Sequence, residues 1–357
     1  MKKILIAMSG GVDSSAAAVL LQKQGYECDG ATLALCGNEA GDAEAVARKL
    51  GMKFFVFEES QRFARCVMDK FVSEYCAGRT PNPCIDCNRE LKFGAFLDRA
   101  LEMGYDGIAT GHYARVEHDE ARGLYRLLRG KDHGKDQSYV LYQLTQQQLS
   151  HLLLPVGEFD KPHIRAEAAG AGLSNADKKD SQDICFIPDG DYYRFLREYG
   201  NVHSPEGNFV DKNGSVLGRH RGLVGYTTGQ RKGLGVSGGR PLYVISKNAE
   251  DNTVLLGGNE ELFSSSLLAS QVNWILGEPA GEVRCTAKTR YSQKECACTV
   301  VPGENGTARV DFSEPQRAVT AGQARYYYNG QTGTRDWFLS FIMMLWQENF
   351  QKHSTIQ

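Results

Sequence analysis

A five-residue apolar run, Ile4-Leu5-Ile6-Ala7-Met8, leads into Ser9-Gly10-Gly11-Val12-Asp13-Ser14-Ser15, and an alanine- and leucine-rich stretch, residues 15–22, follows. The run reads as a buried strand. The stretch reads as a helix, with Gly25 placed to end it. A strand, a Gly-Gly turn and a helix start together build an anion site. The glycines let the backbone approach a phosphate and take dihedrals closed to other residues. The unbonded N–H groups of the first helical turn face the anion, and the helix dipole adds to the attraction. The hydroxyls of Ser9, Ser14 and Ser15 are further donors. The segment from Ala7 through Met8, Ser9, Gly10, Gly11, Val12 and Asp13 to Ser14 is therefore the candidate phosphate cradle.

A Walker loop carries a lysine after its glycines to reach the outer phosphates. This loop has Asp13 instead. A carboxylate there repels phosphate unless it caps the helix or holds a metal ion. The pattern SGGxDS resembles the pyrophosphate loop of the ATP pyrophosphatase superfamily, which implies ATP with Mg2+ and release of pyrophosphate.

The chain has 357 residues, enough for two or three domains, and a formal net charge of -2. That balance advertises no nucleic-acid binder, so any such contact must come from local basic patches. No stretch is long enough to span a membrane, and Met1-Lys2-Lys3 precedes an apolar run too short for a secretory signal. The ten cysteines are not needed as staples in a chain this long. A cytoplasmic protein with reduced thiols is expected. Up to residue 111, strand-like runs alternate with helix-like ones closed by Gly51 and Gly104, which implies βαβ units and a parallel sheet. Ligands then bind beyond the carboxyl ends of the strands, where the segments at Ser9, Leu33 and Gly111-His112 meet. From Gly207 onward short strands and Gly-rich turns take over. Alternation through Val283, Cys285 and Ala287, Cys298 and Val300, and Ala308, Val310 and Phe312 reads as antiparallel strands. The expected fold is α/β: a parallel-sheet, Rossmann-like nucleotide domain over residues 1–196, a small mixed domain over 197–262 and a C-terminal β-barrel over 263–335. An atypical tail, 336–357, follows.

Gly78-Arg79-Thr80-Pro81-Asn82-Pro83-Cys84-Ile85-Asp86-Cys87-Asn88 is stiffened by two prolines and places a C-x-x-C where a helix opens, a setting that lowers thiol pKa. A third cysteine stands far along, at Cys185. Four readings stay open: structural zinc, which lacks a fourth ligand; a thioredoxin-like pair; a 4Fe-4S cluster on Cys84, Cys87 and Cys185 with one iron open; and persulfide chemistry between Cys87 and Cys185 without metal. Cys28, Cys36, Cys66, Cys76 and Cys285 are expected to be packing residues, and Cys296 and Cys298 to share one strand face.

SGGVDSS, GRTPNPCIDCN, ATGHYAR, GKDQSYVLYQL, DSQDICFI, TTGQRKGLG and KTRY, in that order, resemble the tRNA-specific 2-thiouridylase (MnmA) family. The resemblance implies that ATP adenylates the C2 oxygen of the wobble uridine, position 34, and that sulfur displaces AMP. It implies Cys87 as nucleophile and Cys185 as the persulfide-bearing cysteine, with a disulfide between them after transfer. Leu33 and Gly111 match nucleotide contacts. Asn82, Pro83 and Cys84 match positions facing the target base. His112, Lys135, Asp136, Gln137, Arg290, Tyr291 and Gln323 match tRNA contacts. The expected partners are tRNA and a sulfur donor, either a cysteine desulfurase, a sulfur-relay protein or free sulfide, around a monomer with no membrane association. The alternatives are another pyrophosphate-loop ligase, or a tRNA-binding homologue that has lost catalysis.

Two features depart from the family pattern. Cys84 stands where many members carry Asp, which supplies a third soft ligand and tilts the choice toward the cluster. The segment from Thr334 to Trp346, which holds Trp337, matches nothing in the family, and the residues after Thr334 are expected to be dispensable.

Overall fold

A computed structural model describes residues 1–37, 40–178, 184–236, 239–289 and 293–320, with the backbone of the strands Ala324–Asn329 and Phe338–Leu345. The apolar run forms β1 (Lys3–Ala7), whose Ile4, Leu5 and Ile6 are buried. It lies at the centre of a five-stranded parallel sheet with β2 (Glu27–Ala34), β3 (Phe54–Glu58), β4 (Gly107–Ala109) and, later in the chain, Leu152–Leu153. A central parallel strand is covered on both faces, which explains an unbroken apolar run where alternation is absent. The helix α1 (Val12–Lys23) buries Ala16, Ala17 and Ala18 completely. One side packs on Ile4 and Ile6 of the sheet; the other meets Val156 and Ile164, the latter in the helix Lys161–Gly170. A helix enclosed on both sides has no polar face to show, and alanine lets the neighbours close in.

Two longer helices flank the C-x-x-C loop. One, over residues 60–76, is widened by a π-helical stretch, Ala64–Met68. The other begins with the short helix Pro83–Cys87 and widens over Asn88–Ala95 before closing as Phe96–Glu102. Such widenings recur at functional sites.

An antiparallel hairpin, β5 (Ala114–Asp119) and β6 (Leu124–Arg129), interrupts the α/β alternation; the apolar pattern had not singled it out. It precedes β7 (Leu152–Leu153), the edge of the parallel sheet. The middle of the chain forms a four-stranded sheet of β8 (Gly207–Val210), β9 (Val216–His220), β10 (Tyr243–Asn248) and β11 (Thr253–Gly257) around a core that includes Phe209, Val244 and Val254.

The C-terminal strands are β12 (Phe263–Trp274), β13 (Val283–Lys288), β14 (Cys296–Pro302), β15 (Ala308–Arg317), β16 (Ala324–Asn329) and β17 (Phe338–Leu345). They run β12-β15-β14-β13-β16-β17, and β17 pairs back to β12, so the sheet closes into a barrel. Its buried side holds Ala269, Ala287, Val300, Ala308 and Val310. The expected alternation in β14 and β15 holds, and Cys296 and Cys298 are both buried on one face.

Two expectations are corrected here. The tail is not a patternless extension: Phe338–Leu345 is a barrel strand that pairs with β12, β16 and β6. Its almost wholly apolar text, broken only by Ser340, had hidden a strand that shows no period of two. Cys36 and Cys76 are exposed rather than packed. The hairpin and the barrel are also tied by side chains: Arg129 meets Glu295 at 2.7 Å, and Gln146, beyond the hairpin, donates through its amide to both the Tyr125 carbonyl of β6 at 2.8 Å and the Ile275 carbonyl at 2.7 Å.

Candidate active site

From β1 the chain moves to β2 and β3 on one side, then returns to β4 on the other. The carboxyl ends of β1 and β4 therefore flank the switch in strand order, where an open α/β sheet leaves its crevice. Ala7 ends β1, and Met8 is buried beneath the turn. Gly10 has φ +70°, and a Cβ there would lie 2.7 Å from Asp42 Cβ. A Cβ on Gly111 would lie 2.5 Å from the Ser14 nitrogen, so the loop after β4 presses on the first turn of α1. Leu33 is buried near the end of β2, on the side away from β4. The loop after β4 thus meets the phosphate turn, while Leu33 stands in the neighbouring strand β2.

The serines brace the turn. Ser14 Oγ and Ser15 Oγ both donate to the Gly11 carbonyl, at 3.2 and 2.9 Å, and the Ser9 N–H donates to Ser14 Oγ at 3.3 Å. Asn175, which the sequence does not single out, donates to the Gly10 carbonyl at 3.1 Å and to Ser15 Oγ at 2.8 Å. Val12, Asp13 and Ser14 open α1, and no side chain caps it.

Asp13 is placed otherwise than as a cap. Lys161 Nζ lies 2.7 and 2.9 Å from its two oxygens, and the Tyr113 hydroxyl donates to Oδ1 at 2.8 Å. Lys161 starts a helix 148 residues further on, so the chain supplies beside the loop the lysine that the loop itself lacks. With its carboxylate so engaged, Asp13 is no ready-made magnesium ligand. Magnesium that arrives on phosphates needs few protein ligands.

Asn82 caps the helix Pro83–Cys87 by accepting from the Cys84 N–H at 3.1 Å, and Pro83 occupies its first turn. Asp86 is buried; Lys70 at 2.7 Å and Arg89 at 3.2 Å hold it and tie this helix to the preceding one. Burial raises the Asp86 carboxyl above its ordinary pKa, against the pull of both cations. Cys87 is buried beside Ile85 and Leu91, whereas Cys84 and Cys185 are exposed.

The expected lowering of thiol pKa is reversed at Cys84. The residue is exposed as a whole, yet burial of the thiol raises its pKa; Lys92 opposes the rise and Cys185 adds to it. Cys84, Lys92 and Cys185 therefore share one electrostatic neighbourhood. Lys92 was missed, although its spacing of eight from Cys84 is about two helical turns and puts both on one face. His112 belongs to the same neighbourhood. Its Nδ1 lies 2.7 Å from Thr110 Oγ1 and its ring 5.7 Å from that of Phe93; burial, helped by Lys92, holds it well below the usual histidine pKa and hence neutral.

Among the described residues, no group of three or more His, Cys, Asp or Glu side chains is disposed to hold a metal ion. As arranged, Cys84, Cys87 and Cys185 do not fit a 4Fe-4S cluster.

The segment Lys135, Asp136 and Gln137 lies next to Tyr113. Asp136 Oδ1 accepts from the N–H groups of Gly130 and Ser138, both at 3.1 Å. The Gln137 N–H donates to the Tyr113 carbonyl at 2.8 Å, and the Tyr113 N–H donates to Gln137 Oε1 at 3.0 Å. Two of the three therefore shape the loop, and Lys135 is half-buried. Arg290, Tyr291 and Gln323 lie outside the described residues.

Three family models match in order: a tRNA methyl transferase HUP domain over residues 2–189, a tRNA methyl transferase PRC-barrel domain over 193–258 and an aminomethyltransferase beta-barrel domain over 264–333. The tRNA-specific 2-thiouridylase MnmA of Acetivibrio thermocellus is 46% identical over 349 residues, 92% of this chain and 96% of its own. That of Moorella thermoacetica is 47% identical over 91% of this chain and 96% of its own. MnmA 1 of Clostridium botulinum is likewise 47% identical, over 92% and 96%. Identity at that level, spread over nearly the full length of both partners, places the chain in the tRNA-specific 2-thiouridylase family.

Proposed function

We propose that this chain replaces the C2 oxygen of the wobble uridine of tRNA with sulfur at the expense of ATP. The observation that carries the reading is the phosphate turn at the β1/β4 crevice, in a chain whose relatives are named for tRNA 2-thiolation. A carbonyl oxygen is a poor leaving group. The uridine O2 attacks the α-phosphorus of ATP and pyrophosphate departs, its charge met by the α1 amides and by the cation of Lys161. Position C2 then carries a phosphoryl leaving group.

For sulfur delivery the exposed Cys185 carries a persulfide from the donor. Its terminal sulfur attacks C2, and AMP leaves with the electron pair of the C2–O bond. The Cys87 thiolate next attacks Cys185 Sγ, which releases 2-thiouridine and forms a Cys87–Cys185 disulfide. A thiol reductant restores both cysteines. Asn82, Pro83 and Cys84 face the base; His112, Lys135 to Gln137, Arg290, Tyr291 and Gln323 hold the tRNA. The functional divisions fall at 196 and 262, with the barrel running on past 335 to include Phe338–Leu345, and the protein works as a cytoplasmic monomer. No helix among the described residues is long and apolar enough to cross a membrane.

Mass spectrometry of tRNA nucleosides from cells lacking the gene tests the activity: loss of 2-thiouridine, restored by the gene, upholds it. Loss of a methylated nucleoside instead would give the activity that the matched family descriptions name. The sulfur route is decided on anaerobically prepared protein. Full activity without iron, with a persulfide trapped on Cys185, supports the two-cysteine path. Four irons bound, with activity lost on serine replacement of Cys84, Cys87 or Cys185 alike, would replace it with the cluster.

A further inference from the structure

Cys185 occupies a single tight turn. The Ile187 N–H donates to the Ile184 carbonyl at 2.8 Å, so Cys185 and Phe186 are the two central residues of a β-turn. They face opposite environments. Cys185 is exposed, whereas the Phe186 ring enters an aromatic wall. Its centroid lies 5.7 Å from that of Phe63, 5.4 Å from Phe71 and 5.0 Å from Phe195, with interplanar angles of 74°, 88° and 53°. Tilted and edge-on contacts at these separations are the favourable geometries for aromatic pairs. Ile187, 2% exposed, is buried in the same cluster. Phe63 and Phe71 come from the helix over residues 60–76, which precedes the C-x-x-C loop; Phe195 comes from the helix Tyr192–Glu198 on the far side of the turn. The ring is therefore gripped from both directions along the chain, one residue from the thiol.

We propose that Phe186 is the positioning residue of the Cys185 arm: its ring, clamped between the two helices, sets where a sulfur carried on Cys185 is presented. The inference rests on the sulfur-bearing role of Cys185 given above. Phe186 touches no reacting atom, and the phosphate turn is built from other elements. Its loss acts on sulfur delivery and spares adenylation. Transfer between oriented groups falls steeply when one is displaced by an ångström, which is the freedom that an unanchored turn gains.

Full-length Phe186→Ala, Phe186→Leu and Phe195→Ala proteins test this with three readouts: tRNA-dependent pyrophosphate release, 2-thiouridine in digested tRNA, and the rate at which iodoacetamide alkylates Cys185. In Phe186→Ala, pyrophosphate release stays within about twofold of wild type while 2-thiouridine formation falls about a hundredfold, the order expected for a misplaced reactant. Phe186→Leu restores part of the loss, Phe195→Ala reproduces it in weaker form, and Cys185 alkylation changes rate in step. Equal loss of pyrophosphate release and thiolation, or wild-type values of thiolation and alkylation, overturns the proposal. Undiminished thiolation by Cys185→Ser would remove the sulfur-bearing role instead. The alkylation rates alone would then decide whether Phe186 places the arm.

Discussion

Asp13 is where residue chemistry departs most from a generic phosphate turn. The Lys161 and Asp13 side chains are 10% and 29% exposed, so the pair is largely withdrawn from water. Breaking a withdrawn pair costs more than the pair contributes, because the survivor keeps its charge without a partner. Asp13→Ala is expected to lower stability by about 1–3 kcal/mol in urea unfolding and to abolish pyrophosphate release. Asp13→Ala combined with Lys161→Met should recover most of the stability and none of the release. A single variant as stable as wild type would show the pair to be idle. His112 gives a second test. Its folded pKa lies well below its ordinary 6.5, so between those values the unfolded chain binds the proton that the folded chain refuses. The His112 contribution to stability is therefore complete above pH 6.5 and is lost as pH falls toward the folded pKa, at about 1.4 kcal/mol per pH unit. His112→Asn should remove that part of the slope; identical slopes for both proteins would mean that the imidazole is not held neutral.

Elements show how far local text reaches. The phosphate turn was legible because a strand, two glycines and a helix start act within a few residues. The buried alternation of β14 and β15 was legible because a strand repeats every two. The partners that complete the site were not. Lys161 reaches Asp13 across 148 residues, and Asn175 reaches Ser15 across 160; nothing in either local sequence marks the destination. The lowered thiol pKa expected where the helix opens failed at Cys84 for a related reason. A helix start favours a thiolate, but at Cys84 desolvation by burial prevails, and the distant Cys185 adds to it. Contact between elements also explains Gly111, which is needed for closeness rather than for a turn. With the Ser14 nitrogen 2.5 Å from any Cβ, Gly111→Ala must push β4 and α1 apart. Overpacking of this kind costs about 1–3 kcal/mol and tilts the amides that face phosphate. The expected result is a several-fold rise in KM for ATP with unchanged tRNA affinity, measured by steady-state pyrophosphate release and by filter binding. An unaltered KM would place the nucleotide away from this junction.

The whole molecule closes on itself through its last described strand. In the order β12-β15-β14-β13-β16-β17, β17 lies between β16 and β12, and it also takes up β6 from the N-terminal part of the chain. The sequence pattern alone marks this segment as dispensable; as a strand it is the stave that turns a sheet into a barrel. Ending the chain at Thr334 would leave β12 and β16 as open edges with unpaired N–H and C=O groups. It would also uncover an interior built on Ala269, Ala287, Val300 and Val310. The contact between β6 and the barrel would be left to side chains such as Arg129 and Glu295. The truncated protein is therefore expected to bind a hydrophobic dye, to self-associate and to be cut by protease first within residues 263–320, while the parallel sheet and its phosphate turn stay folded. Because the barrel follows the catalytic sheet and does not build the turn, ATP binding should survive while tRNA affinity and 2-thiouridine formation fall together. Dye binding, limited proteolysis and filter binding on the one truncated protein check all three. Wild-type tRNA affinity and a protease-resistant C-terminal region would show instead that five strands close without β17.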